Sequence, residues 1–141
     1  MTLADVMDIA TSGLIAQRTR LATVASNLAN AQTTRTSEGG PYRRRDPVFS
    51  AEPVAGSFAD VLSRQMRAVE VQRVAVDQRP PIMKHEPGHP DADEEGFVAY
   101  PRVNPVEELA NMISASRSFE ANLMLLGKAK QMGDAALQIG R

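Results

Sequence analysis

The 141-residue chain contains no cysteine and no tryptophan. Without thiols there are no disulfides, no thiolate metal sites and no cysteine nucleophile, although the redox compartment stays open. Aromatic residues make up 4% of the chain, which excludes a large aromatic core. Charge of one sign is also missing: the formal net charge is -1, so no bulk field draws the chain to nucleic acid or inserts it into an anionic membrane. No apolar run approaches the ~20 residues of a membrane span. Asp5 and Asp8 stand where a secretory signal would be basic, and no compact apolar region follows, so any export is expected to use no cleaved signal peptide. No nucleophile motif and no phosphate-cradling glycine loop occurs. The sequence therefore nominates no catalytic, cofactor or metal residues, and no enzyme activity is expected.

What is present is concentrated at the two ends. Residues 103–141 open with Asn104-Pro105-Val106-Glu107-Glu108. Asn104 is a helix N-cap, Pro105 suits the first helical position, and Glu107 stands at the capping-box position. Both glutamates complement the positive end of the helix dipole. Gly140 is a reasonable stop. An apolar seam repeats every seven residues through Leu109, Ser116, Leu123, Lys130 and Leu137. Its companion row is Met112, Phe119, Leu126 and Gly133. This is a coiled-coil-like stripe that needs a partner.

The N-terminal 31 residues supply one. Thr2 and Asp5 form a capping-box pattern, and Met7, Leu14, Leu21 and Leu28 repeat at sevens beside Ala10, Gln17, Val24 and Ala31. The seam is thin, and Gly13, Gly127 and Gly133 each cost about 1 kcal/mol relative to alanine in a helix interior. The expected fold is α+β: long terminal helices pair in a coiled-coil-like manner (residues 1–31 and 105–141), with a small β-rich middle domain (32–104) inserted between them. Within that middle, 42–51 reads as a strand edged by Pro47, and 57–66 as a short helix capped by Ser57. Val69, Val71, Val74 and Val76 alternate with a phase slip, the mark of a strand with a bulge. Shorter strands are expected from Ile82 and over 97–100.

Two polar stretches invite chemistry. In the loop 85–96, Asp91, Asp93, Glu95 and Gly96 match the start of a calcium loop, but its twelfth position is Arg102 rather than glutamate. His85 and His89 are separated by Pro87, which excludes a helix that would align them as ligands. The loop reads as a solvated turn in which Asp91 or Asp93 bonds local amides. Tyr42-Arg43-Arg44-Arg45 is a basic run. As a strand it would scatter its arginines over two faces, which suits salt bridges to a neighbouring subunit or a charged edge that blocks strand addition.

Ala25-Ser26-Asn27-Leu28-Ala29-Asn30-Ala31 contains the Asn-x-Ala-Asn pattern of the bacterial flagellar axial proteins, the rod and hook group. Gly40-Pro41-Tyr42-Arg43-Arg44, Gly88-His89-Pro90-Asp91-Ala92-Asp93 and Gly96-Phe97-Val98 resemble the proximal rod members of that group. So do the segments around Pro101-Arg102-Val103-Asn104-Pro105 and Ser114-Ala115-Ser116-Arg117-Ser118-Phe119-Glu120-Ala121-Asn122. Phe97 and Phe119 stand where this group usually carries tyrosine, and Arg102 where it often carries asparagine.

The resemblance implies a structural subunit of the flagellar basal-body rod. Such a chain is exported by the flagellar type III apparatus and assembles in the periplasm through its terminal helices into a tubular drive shaft that transmits torque. Implied partners are copies of itself, other rod proteins and the basal-body adaptor protein FliE. Subunit-interface positions are then Leu14, Leu21, Asn27, Leu28, Asn30, Leu109, Met112, Phe119, Asn122, Leu123 and Leu126. Because interior helical positions disfavour asparagine, Asn27, Asn30 and Asn122 are expected to bond across subunits, and the three helical glycines to permit close approach. Tyr42, Arg43, Arg44, His89, Pro90, Asp93 and Gly96 form the middle-domain signature. The alternatives are another rod component or, in a different class, a small calcium-responsive module using the 85–96 loop.

The thin seam implies terminal helices that complete their folding on assembly. Circular dichroism of the dilute subunit should show less helix than the two terminal segments allow; full helicity at low concentration would refute this.

Overall fold

The computed structural model describes residues 3–53 and 67–139. The expected cap Thr2, the expected helix 57–66 and the expected stop Gly140 lie outside the described residues. The chain forms α1 (Leu3–Ala29), β1 (Arg45–Pro53), β2 (Arg67–Val76), β3 (Ile82–His85), β4 (Phe97–Tyr100) and α2 (Pro105–Ile139). Helix α2 starts as its sequence dictates: the Val106 N–H donates to Asn104 Oδ1 at 3.1 Å, and the Glu108 N–H donates to the Asn104 carbonyl at 3.0 Å. The capping box does not close, because Glu107 turns to a cleft that it lines with Arg79 and Arg102.

The strands form two separate antiparallel ribbons, β1–β2 and β3–β4, rather than one sheet. Strand β1 begins three residues later than expected, at Arg45, because Tyr42 and Arg44 are drawn inward by side-chain bonds. Pro47 is accommodated in this two-stranded edge position. The bulge predicted in the valine-rich strand is real: Val48 faces Arg73 and Phe49 faces Val71, which leaves Gln72 unmatched. Ser12 Oγ of α1 accepts the Val69 N–H at 3.1 Å and pins this ribbon along the helix.

The helices run antiparallel. Asn27 meets Glu108, Arg20 meets Asn111, Gly13 meets Asn122 and Leu3 meets Gly133. The row of α2 facing α1 is therefore Glu108, Ala115, Asn122 and Ala129, of which Glu108, Ala115 and Ala129 are buried. The leucine row expected there is rotated away: Leu109, Leu123 and Leu137 are 47%, 47% and 74% exposed. Its companions Met112, Phe119 and Leu126 are half-buried. The cause is interhelical distance. Gly13 packs against the Asn122 side chain, where a Cβ would sit 2.7 Å from Nδ2, and the seam is filled by small and polar side chains rather than leucines. The core is correspondingly modest, with Ala10, Ala16, Val24, Tyr42, Val98, Val103, Ala115 and Ala129 as its buried apolar residues among those described.

Glycine has two meanings in these helices. Gly13 and Gly133 are close-approach points, whereas Gly127 has nothing within 4 Å of its would-be Cβ and permits no close approach inside the chain. Gly127→Ala should stabilise the subunit by about 0.5–1 kcal/mol through helix propensity. Gly13→Val should destabilise it by about 1–3 kcal/mol through overpacking against Asn122. Urea unfolding of the two variants reads both signs.

Candidate functional site: a buried polar clamp and an apolar helix flank

The start of α2, the end of α1 and the entry to β1 converge on one amide. Asn27 is fully buried, as is Glu108. Asn27 Nδ2 donates to the Arg45 carbonyl at 2.8 Å and to Glu108 Oε2 at 3.1 Å. Asn27 Oδ1 accepts from the Tyr42 hydroxyl and from the Arg45 N–H, both at 2.9 Å. Both donors and both lone pairs of the amide are thus used, the full capacity of an asparagine. Ser26 Oγ lies 3.2 Å from the same tyrosine hydroxyl. Glu108 Oε1 accepts from Arg44 Nε at 2.7 Å, and Arg44 also pairs with Asp46. Burial alone would lower the Arg44 pKa, but its bonds to Glu108 and Asp46 outweigh that and hold the guanidinium above its usual range.

The sequence-based site residues thus divide by role. Asn27, expected to meet a neighbouring copy, has all its bonds inside the chain, because the close helix approach closes over it. Asn30 is likewise occupied locally, donating to the Ser26 carbonyl at 2.9 Å and accepting from Thr33 Oγ1 at 3.2 Å. Asn122 packs on Gly13. Leu14, Leu21 and Leu28 are half-buried on α1. Arg44, read as a bridge to a neighbour or part of a charged edge, pairs with Glu108 and Asp46 within the chain. Arg43 is exposed and donates to Gln78 Oε1 at 3.0 Å.

The acidic loop is a self-bonded turn. Asp93 Oδ1 accepts the N–H groups of Glu95 and Phe97 at 3.0 and 2.7 Å. Asp91 accepts from Thr34 Oγ1 at 2.7 Å and faces Arg35. His89 Nδ1 accepts the Asp91 N–H at 3.1 Å, and its ring meets the edge of Tyr100. Pro90 forms part of the turn surface. Gly96 has a φ of +81°, and a Cβ there would press on His85 and Pro87 at 3.1 and 3.2 Å. On the opposite side, Arg79 holds Asp77 with both side-chain and backbone N–H bonds, which brings the carboxyl down from 3.8 to about 2. A depressed carboxylate stabilises the folded state above its unfolded pKa. That contribution is lost as the pH falls from 3.8 to about 2.

Glu108 is the functional residue that sequence reasoning missed. It looked like a helix-dipole partner. The available signal was its seven-residue phase with Ala115, Asn122 and Ala129, a row of small and polar residues facing Gly13.

Outside the clamp, α2 carries an apolar flank. Val106, Leu109, Ile113, Leu123 and Met124 are 47–74% exposed on one side of the helix, in two clusters separated by Ser116, Arg117 and Glu120. Exposed apolar side chains grouped on one side of a long helix mark an interaction surface.

Comparison with known proteins agrees with that geometry. The profile described as "Flagella basal body rod protein" matches residues 7–35, and "Flagellar basal body rod FlgEFG protein C-terminal" matches residues 94–139. The flagellar basal-body rod protein FlgC of Borreliella burgdorferi is 40% identical over 149 residues, covering 99% of this chain and 98% of that protein. FlgC of Salmonella typhimurium is 39% identical and FlgC of Bacillus subtilis 36%, each covering 100% of both chains. The chain belongs to the FlgC family of flagellar basal-body rod proteins. The two profile matches fall on the helices that meet at the clamp, so these segments of a FlgC-family chain are physically one unit.

The clamp is expected to dominate stability. Asn27→Ala leaves Glu108 and Tyr42 short of partners in a buried setting, at a cost of roughly 3 kcal/mol. Glu108→Gln removes the charge that Arg44 answers and should cost a similar amount. Denaturant titration checks both, and changes under about 0.5 kcal/mol, as at ordinary surface sites, would contradict the clamp.

Proposed function

We propose that this chain is a non-enzymatic structural subunit of the proximal rod of the bacterial flagellum. It assembles through its terminal helices into the tube that transmits torque. One observation carries the reading beyond family membership: α2 uses its small-residue row to hold α1 and leaves its large apolar residues facing outward. A soluble monomer gains nothing from that choice, whereas a subunit of an open polymer needs it. Heterologous contacts that repeat without closing generate filaments, and a long amphipathic flank supplies such contacts between neighbouring copies.

On this reading Leu109, Ile113, Leu123 and Met124 are interface residues toward neighbouring subunits, with Leu14, Leu21, Leu28, Met112, Phe119 and Leu126 supporting the seam from the half-buried side. Asn27 contributes indirectly, by setting the helix register that presents the flank. The natural units are the paired terminal segments 1–31 and 105–141, with 32–104 mounted on them. Partners are copies of the chain, other rod proteins and the adaptor FliE. The route is type III export of the unfolded chain into the periplasmic rod. The calcium-module alternative is not favoured, because Asp93 and Asp91 are already engaged by backbone and side-chain donors. Full-length similarity to FlgC proteins favours that member over another rod component.

Ile113→Asp and Leu123→Asp test the reading. Both positions are about half exposed, so the purified variants should fold with near-normal stability. They should nevertheless fail to restore swimming to cells lacking the native protein. Normal swimming with either variant would remove the flank from the assembly interface.

A further inference from the structure

The β3–β4 ribbon carries opposite charge at its two ends. At one end, beyond the Ile82–Tyr100 pair, a cleft of about 120 Å³ opens between the 39–44 segment, Asp77, Arg79, Pro81 and Arg102. Four guanidinium groups line it, from Arg43, Arg44, Arg79 and Arg102, against one lining carboxylate, Asp77. Two of the four are neutralised inside the chain, Arg44 by Glu108 and Asp46 and Arg79 by Asp77. Among the described residues the other two donate to neutral acceptors, Arg43 to the Gln78 amide at 3.0 Å and Arg102 to the Pro80 carbonyl at 3.2 Å. Glu107 borders the adjoining cleft and forms no ion pair with them.

At the other end, beyond the His85–Phe97 pair, stands the tight loop 86–96. Asp93 is occupied in holding it together, and Asp91 is occupied by Thr34 and Arg35. Glu94 and Glu95 are exposed, and neither carboxylate has a partner among the described residues. Their backbone is held by the Asp93 turn and by Gly96, which presents both side chains at the edge of the loop. The paired strands separate the two ends by roughly 10 Å, three steps of ~3.3 Å. They lie beyond opposite ends of a paired ribbon, and among the described residues the exposed acids form no ion pair with these arginines.

We propose that the Arg43–Arg102 cleft receives the Glu94–Glu95 edge of a second copy of this chain. The contact rests on the rod reading above and deepens it by naming a second surface, in the middle segment, besides the helix flank. It is heterologous and head-to-tail, the type of contact that can repeat from copy to copy along an open assembly. Planar guanidinium groups favour carboxylates because two parallel N–H bonds can form at once. The cleft has room for a carboxylate and several waters. Partial exposure makes the contact salt-sensitive.

The absence of native cysteine makes the test clean. The full chain carrying Pro80→Cys and Glu94→Cys retains Glu95, Arg43 and Arg102. It is expressed in cells lacking the native protein, and purified basal bodies are oxidised. A ladder of disulfide-linked multimers is expected on a non-reducing gel, with none from either single-cysteine chain. Adding Arg43→Glu and Arg102→Glu should weaken the ladder by roughly fivefold or more, since attraction becomes repulsion at a charge-assisted pair. Basal bodies that contain the double-cysteine chain but give no ladder would overturn the contact and leave the rod reading intact. A ladder unchanged by the arginine reversals would overturn the charge basis of the contact. Basal bodies that lack even the unsubstituted chain would overturn the rod reading, and this contact with it.

Discussion

A carboxylate with no solvent exposure sits at the point where both helices and the first ribbon meet. Removing a charge from water is expensive, and a buried ion pair adds little net stability over a well-packed apolar substitute. What the Glu108–Arg44–Asn27–Tyr42 group supplies is uniqueness of arrangement. Glu108 is satisfied only when Asn27 and Arg44 face it, and Asn27 is satisfied only when the 42–45 segment folds over it. Sliding α2 by a turn would leave a bare charge inside the molecule. Helix register and the seating of the middle segment are therefore set together.

Register in turn decides which residues meet. With Asn27 opposite Glu108, Gly13 falls opposite Asn122 and Leu3 opposite Gly133. The interface is narrow and lined by small side chains, so close packing takes the place of hydrophobic bulk. The larger side chains Leu109, Ile113, Leu123 and Met124 are then left outside. At ~25 cal/mol per Å² of apolar surface, covering such a flank is a substantial driving force, and none of the described residues covers it. The polar clamp inside and the apolar flank outside are two results of one geometric choice. The ribbons follow a simpler logic. Each is two-stranded and marginal alone, and each is held by specific polar bonds, Ser12 to Val69 for one and the Asp93 turn for the other.

Much of this was legible in the chain. The Asn104-Pro105 start of α2, the bulge among the valines and the strand 97–100 all rest on local backbone chemistry, and all occur as read. Asp93 as a local cap was also legible, because aspartate in a Gly/Pro-rich turn bonds its own amides. The site was harder. Tyr42, Arg44 and Asn27 stood out through the resemblance to axial proteins, but as separate features: Asn27 at a subunit contact, and Tyr42 and Arg44 in a middle-domain signature. A side chain's partner 64 or 81 residues away leaves no trace in local pattern. Glu108 was missed because a glutamate in a first helical turn already has a sufficient local reason to be there.

The sequence by itself determined where the two long helices and most of the described strands lie, since caps, prolines and alternation act over a few residues. It also determined that the terminal helices carry more apolar surface than one thin pair can bury. Only the tertiary structure decided which stripe faces inward. A seven-residue pattern selects rows by hydrophobicity, and that favours the leucine row. The actual seam is selected by interhelical distance and by the need to satisfy one buried carboxylate. Both are properties of two segments in contact, and neither is written in either segment alone.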